Sequence, residues 1–264
     1  MVPTSTMIGI IATFLIAVGT PVVLLIFFKR RFNISLKVLL FGMLTFFLFV
    51  SILEQIAHGY FLLGNATTKK WFENPWLYML YGGLMAGLFE ETGRFIVMKF
   101  ALKKFREWKD GLSFGLGHGG FEAISLIGLN SIMMIVYSIM INNGSFDSIM
   151  IDDQMRAAMA PIKEQLTTGP SYLIWLGGLE RLSAIAIHLG LSVLVLYAIT
   201  SKKWIYYPLA IVIHALFDFP AALYQTGTIT NIFVVEFIIL LFAIGAIYWV
   251  VKSRKLFKQI IVKE

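Results

Sequence analysis

Glu90 and Glu91 stand side by side in an otherwise apolar stretch, with Arg94 close behind, and three of the chain's four histidines lie downstream, two of them with acids at helical spacing. His118 is followed four residues on by Glu122, and His214 by Asp218, while His188 has no acid at that distance on either side. An ionisable group in hydrocarbon is expensive, so groups of this kind line a polar cavity and serve a reaction, a transported ion or a polar network. Successive helical positions turn by about 100°, so Glu90 and Glu91 leave their helix on different faces, whereas Glu90 and Arg94 share one. If Glu90 points into the cavity, it is the candidate general base, with Arg94 as its tether and Glu91 holding a neighbouring helix or a group behind the site; the alternative is a structural ion pair without chemistry. A histidine beside such a base can orient water or stabilise a developing oxyanion. In the pairs His118/Glu122 and His214/Asp218 the acid is expected to accept the second ring proton and so fix the tautomer.

The elements that carry these groups are those of a membrane protein. Of 264 residues, 58% are hydrophobic and 14% charged, and the mean hydropathy is +0.81. An ordinary soluble domain carries roughly 25% charged residues. There is no cysteine, which excludes disulfides, thiolate nucleophiles and thiolate metal sites, so any metal must be held by nitrogen and oxygen. Seven stretches are long enough to cross a bilayer, approximately 7–28, 37–62, 76–98, 111–140, 171–199, 204–222 and 229–251. The fold class expected is all-α: a polytopic transmembrane bundle of about seven spanning helices, forming one integral membrane domain over 1–264. The first stretch lacks a positive flank before it and a small-residue cleavage site after it, so it is expected to stay as a helix.

Charge sets the expected orientation. Lys29, Arg30, Arg31 and Lys37 follow the first stretch, and Lys99, Lys103, Lys104, Arg106 and Lys109 follow the third. Lys202 and Lys203 follow the fifth, and Lys252, Arg254, Lys255, Lys258 and Lys263 follow the seventh. Every second connection is basic, which places these segments in the cytoplasm, the N-terminus outside and the C-terminus inside. The 141–170 connection then lies outside. The net charge of +7 is accounted for by helix ends facing anionic lipid, and no extramembrane module is present to bind nucleic acid. Residues 100–110 read either as a short interfacial helix or as an extension of the third span.

Counted back from the basic ends at 1.5 Å per residue, Glu90 and His118 lie roughly 10–12 Å deep, and His188 and His214 roughly 15 Å. They can meet in one layer. Glu54 with His58, and Glu180 with Arg181, lie nearer the other side and read as neutralised structural pairs or as a substrate-entry feature. Gly82, Gly83 and Gly87 in the third span, and Gly111, Gly115, Gly117, Gly119 and Gly120 in the fourth, suggest that these two helices pack on each other. Pro21, Pro208 and Pro220 are expected to kink or finish helices.

The order Glu90-Glu91-x-x-Arg94, Phe114-x-x-x-His118, His214-x-x-x-Asp218 resembles the three motifs of the glutamic-type intramembrane proteases. These include the CAAX prenyl endopeptidases and bacteriocin-processing relatives, and within them the chain is most similar to the YhfC branch. The resemblance covers about 80–222. It departs in the spacing from glutamate to arginine, one residue shorter than in the CAAX enzymes. It implies an endopeptidase acting on a membrane-associated peptide or protein, with Glu90 activating water, His118 and His214 as its partners, Asp218 assisting the oxyanion, and Glu91 and Arg94 in support; Glu122, by its spacing from His118, and His188, by its depth, are further supporting candidates outside the resemblance.

No cofactor is required by this chemistry, since glutamate and histidine can hold the water themselves. Zinc is compatible with the same groups, and its ligands would be Glu90, His118 and His214. The other reading of acids and histidines in apolar helices is a proton-coupled transporter or channel, which would show paired half-structures and discontinuous helices.

Overall fold

The protein is seen in a computed structural model whose described residues are 1–261; Lys263, assigned above to the C-terminal basic cluster, lies outside the described residues. It is all-α. The helices are α1 (Thr4–Phe32), α2 (Leu36–Gly64), a short α3 (Ala66–Trp71), α4 (Pro75–Ile96), α5 (Trp108–Asn143), α6 (Asp153–Thr167), α7 (Tyr172–Ser201), α8 (Tyr206–Gln225) and α9 (Ile232–Ile261). Six of them, α1, α2, α5, α7, α8 and α9, are long and apolar enough to cross a membrane. The expected seventh, α4, has 22 residues, about 33 Å of helix, and carries Glu90, Glu91 and Arg94 in its last two turns.

Local sequence explains the helix starts. Ser35 accepts from the Val38 amide at the start of α2, Asn65 from Thr67 and Thr68 in α3, Asn74 from Trp76 and Leu77 in α4, and Asp152 from Met155 in α6. Each satisfies an amide that has no partner within the helix. Pro75 occupies the first turn of α4, where its missing N–H costs nothing. Pro21 lies within α1 and Pro220 within α8, which continues for five residues beyond it, so neither proline ends its helix.

Residues 100–110 form neither a separate helix nor a simple extension. α4 widens into a π-helical turn over Val97–Ala101 and then gives way to a loop. Arg106 Nη1 donates to the carbonyls of Met98, Leu102 and Phe105 at 3.0, 2.8 and 3.0 Å. The Leu102 carbonyl also accepts the Phe105 amide at 3.0 Å, so the guanidinium ties the helix end at Met98 to the loop that follows it.

Among the described residues two compact units emerge, 1–23 with 122–182, and 24–121 with those from 183 on. In the first, Val2, Ile10 and Leu166 are buried among Met7, Met134, Ile135, Tyr137, Ile141, Ile162 and Ile174. The 141–170 connection therefore contains a helix, α6, whose Ile162 and Leu166 supply part of this core. Thr13 Oγ1 donates to the Ile174 carbonyl at 2.7 Å, and Arg181 Nη1 to Glu122 Oε1 at 2.9 Å.

The second unit holds the motif residues. There α4 lies against α8 through its glycines: a Cβ on Gly87 would fall 2.6 Å from the Ile211 carbonyl oxygen, and one on Gly83 2.7 Å from that of Ala215. The glycines of α5 face other helices. A Cβ on Gly115 would meet the His188 carbonyl oxygen of α7 at 2.8 Å, and one on Gly117 would overlap the Leu39 carbonyl of α2. Small residues do permit close backbone approach. The partners differ from those expected, because α4 uses its glycines on α8, and α5 uses its own on α7 and α2.

Candidate active site

α4, α5, α7 and α8 bring their polar side chains into one buried layer. Glu90 Oε2 accepts from Arg94 Nη2 at 3.0 Å and lies 2.8 Å from Nε2 of His118. The same oxygen is 3.8 Å from His188 Nδ1, and the other carboxylate oxygen is 3.7 Å from His214 Nε2. Glu91 leaves the helix on a different face, as the turn of about 100° between adjacent positions requires: its Oε1 lies 2.5 Å from Arg94 Nη1 and 2.7 Å from His214 Nδ1. Arg94 thus bridges both acids with two nitrogens of one guanidinium. Its side chain and those of Glu91 and His118 are fully buried, while Glu90 retains 8% exposure and Asp218 30%.

The close approach of helices at Gly87 makes the second of these contacts. With no side chain there, α8 comes near enough for His214 to reach Glu91 across the interface. Gly119 does the same for α7, since a Cβ at that position would lie 2.8 Å from His188 Cβ. The His118 and His188 rings consequently sit with centroids 5.2 Å apart, and those of His188 and His214 5.9 Å apart.

Three expected relationships come out differently. Glu122 does not orient His118: the ring's Nδ1 has no hydrogen-bond partner, and Glu122 is engaged by Arg181, a stronger charge-assisted donor than an imidazole. The close partner of His214 is Glu91 and not Asp218, which stands 3.4 Å from Nε2. His188, which has no acid at helical spacing, belongs to the centre of the layer, where Arg94 Nη2 approaches its Nδ1 to 2.6 Å. Spacing along one helix could not reveal that contact, although the common depth of the four helices points to it.

The donor set that could hold a metal also differs from the expected one. Ligand atoms of Glu90, His118 and His188 lie within 4.8 Å of one another, so His188 takes the place given above to His214. Two imidazoles and a carboxylate suit zinc, whose ligands stand at about 2.0–2.2 Å. In kind and spacing these residues fit such an ion. In the arrangement seen here the lone pair on His188 Nδ1 is taken by Arg94, so an ion and that hydrogen bond compete for it.

The outer pairs also find partners. Glu54 Oε1 lies 3.3 Å from His58 Nε2, and the Tyr81 hydroxyl lies 2.8 Å from His58 Nδ1, a third member that charge patterning did not reveal. Arg181 pairs with Glu180 as well as with Glu122.

Residues 13–239 match a family model described as YhfC intramembrane metalloprotease. The chain belongs to the YhfC family. It is 46% identical over 243 residues to "Uncharacterized membrane protein YhfC" of Bacillus subtilis (strain 168), an alignment that spans 92% of this chain and 94% of that one. No solved structure matches. The matched region contains every member of the buried layer, the Glu90-Glu91-Arg94 turn and the histidines of α5, α7 and α8.

Proposed function

We propose that this YhfC-family protein is an intramembrane endopeptidase in which Glu90 activates water for attack on a peptide carbonyl. The observation that supports this most is the placing of Glu90, with His118 on one carboxylate oxygen at 2.8 Å and His214 facing the other at 3.7 Å. Of the two adjacent acids it is also the one with residual exposure, while Glu91 is locked between Arg94 and His214. Glu90 takes a proton from water as the new C–O bond forms. The carbonyl electrons move onto oxygen, and His118 and His214 orient the water and stabilise that oxyanion. When the C–N bond breaks, Glu90 returns the proton to the leaving nitrogen. Glu91 fixes the direction of His214 through Nδ1, so that Nε2 faces the reacting atoms beside Asp218, which supports His214 or the oxyanion. Burial of the layer makes each of these interactions worth more than it would be in water.

A divalent ion, if carried, would be held by Glu90, His118 and His188, and would supply Lewis-acid polarisation of the bound oxygen. The motif order supports a shared chemistry with the glutamic-type intramembrane proteases, in a single membrane domain whose motif-bearing core is about 80–222. The substrate is a membrane-associated peptide or protein. Proton-coupled transport finds no supporting feature among the described residues. The test is capture: native membranes with Glu90→Gln should retain an uncleaved protein that wild-type membranes process. Identical bound and cleaved populations in the two would refute the reading.

A further inference from the structure

A second concave site lies away from the buried layer, at the charged ends of α1 and α9. Arg30, Arg31, Lys109, Arg254 and Lys258, with Glu107, line an open hollow of about 430 Å³, within the range of small-ligand sites. Five cations face one carboxylate, and that carboxylate is already occupied, Glu107 lying 3.1 Å from Lys109. Arg30, Arg31, Arg254 and Lys258 have no acidic partner among the described residues. Four like charges around one hollow repel each other, and an anion is what such an arrangement lacks.

The hollow is built and not an accident of long side chains. Arg254 stands over the rings of Phe32 and Trp108, 5.4 and 5.3 Å from their centroids, and these two rings meet edge to face at 5.3 Å. Trp108 is in turn fixed by its indole N–H, which donates to the Val250 carbonyl at 2.9 Å. Asn33 holds a left-handed turn at φ 50°, which an asparagine tolerates better than most residues, and Lys29 donates to the Ile34 carbonyl at 3.1 Å across the same corner. Arg254 is therefore presented on an aromatic platform, and Arg31 lies 5.6 Å from the centroid of the same Phe32 ring.

We propose that this pocket binds the phosphate headgroup of an anionic phospholipid. α1 and α9 are both long and apolar enough to cross the bilayer, so the pocket formed at their basic ends lies where headgroups are, and arginine suits phosphate through its paired donors. The proposal stands apart from the peptidase reading and uses none of its residues.

The experiment titrates the full-length, detergent-purified protein with dihexanoylphosphatidylglycerol, dihexanoylphosphatidylcholine and glycerol phosphate, and reads affinity. Binding of the glycerol lipid at least about tenfold tighter than of the choline lipid, weakening as salt rises, is expected. Arg31→Gln with Arg254→Gln should lower that affinity about 30-fold, the loss two interfacial cations together account for. Lys202→Gln with Lys203→Gln, at a basic corner outside the pocket, should leave it unchanged. If the double arginine variant does not fold, Arg30→Gln with Lys258→Gln tests the same pocket without disturbing the aromatic platform. Equal affinity for the two lipids, or equal losses in the pocket and control variants, would overturn the proposal. Glycerol phosphate binding as tightly as the lipid would assign the pocket to a soluble phosphate instead.

Discussion

Arg94 Nη2 stands 2.6 Å from Nδ1 of His188, and because a guanidinium can only donate, that ring nitrogen accepts. With Nη1 on Glu91 and Nη2 also on Glu90, one side chain joins three members of the layer. Arg94→Met removes the cation and leaves the two buried carboxylates with imidazole partners alone. It should lower the unfolding free energy by about 3–5 kcal/mol, the usual cost of breaking a buried pair from one side, and thermal unfolding in detergent measures it. Arg94→Lys keeps the charge but loses the fork, and should recover stability only in part.

How far the sequence speaks for this site differs from residue to residue. The Glu90-Glu91-x-x-Arg94 turn was legible because helical geometry alone divides the two acids between faces and puts Arg94 on the face of the first. The common depth of His118, His188 and His214 was legible from the lengths of their spans. What spacing could not convey were contacts between helices: His188 to Arg94, 94 positions apart, and His214 to Glu91, 123 apart. Pairing His118 with Glu122 by their four-residue spacing failed because Arg181, 59 residues further on, is the better partner for that acid. Gly83, Gly87, Gly115 and Gly117 are points of close approach, but composition does not say which helix approaches.

Metal loading separates the histidines. Zinc titrated into the purified protein and followed by calorimetry should lose most of its affinity in His118→Gln and in His188→Gln, and little in His214→Gln, since His214 is not in the close donor set. Arg94→Met, by freeing His188 Nδ1, should bind zinc more tightly than the wild type. Affinity lost in His214→Gln alone would return the ligand role to that residue.

The glycine contacts give a mechanical test. Gly87→Val puts a branched side chain where a Cβ already falls 2.6 Å from the Ile211 carbonyl oxygen, so α8 must move and carry His214 away from Glu91. A stability loss of about 1–3 kcal/mol is expected, with loss of proteolysis beyond what unfolding explains. Gly245→Ala, where a Cβ meets nothing within 4 Å in α9, should be neutral or stabilising.

Orientation is open to direct labelling because the chain has no cysteine of its own. Lys104→Cys lies in the basic loop after α4, and Gln154→Cys in the first turn of α6, both exposed. An impermeant maleimide added to intact cells should label Gln154→Cys and reach Lys104→Cys only after the membrane is opened. The reverse pattern would invert the topology.

The central claim is that Glu90, and not its neighbour, is the proteolytic base, and the direct measurement is a count of new peptide N-termini. Purified wild type, Glu90→Gln and Glu91→Gln, each reconstituted with membrane proteins from cells lacking the protein, are compared by mass spectrometry. Loss of general-base help should slow cleavage about 10²- to 10⁴-fold in Glu90→Gln, with a smaller loss in Glu91→Gln arising from the misdirected His214 ring. Wild-type cleavage that persists in Glu90→Gln and fails in Glu91→Gln would contradict the account.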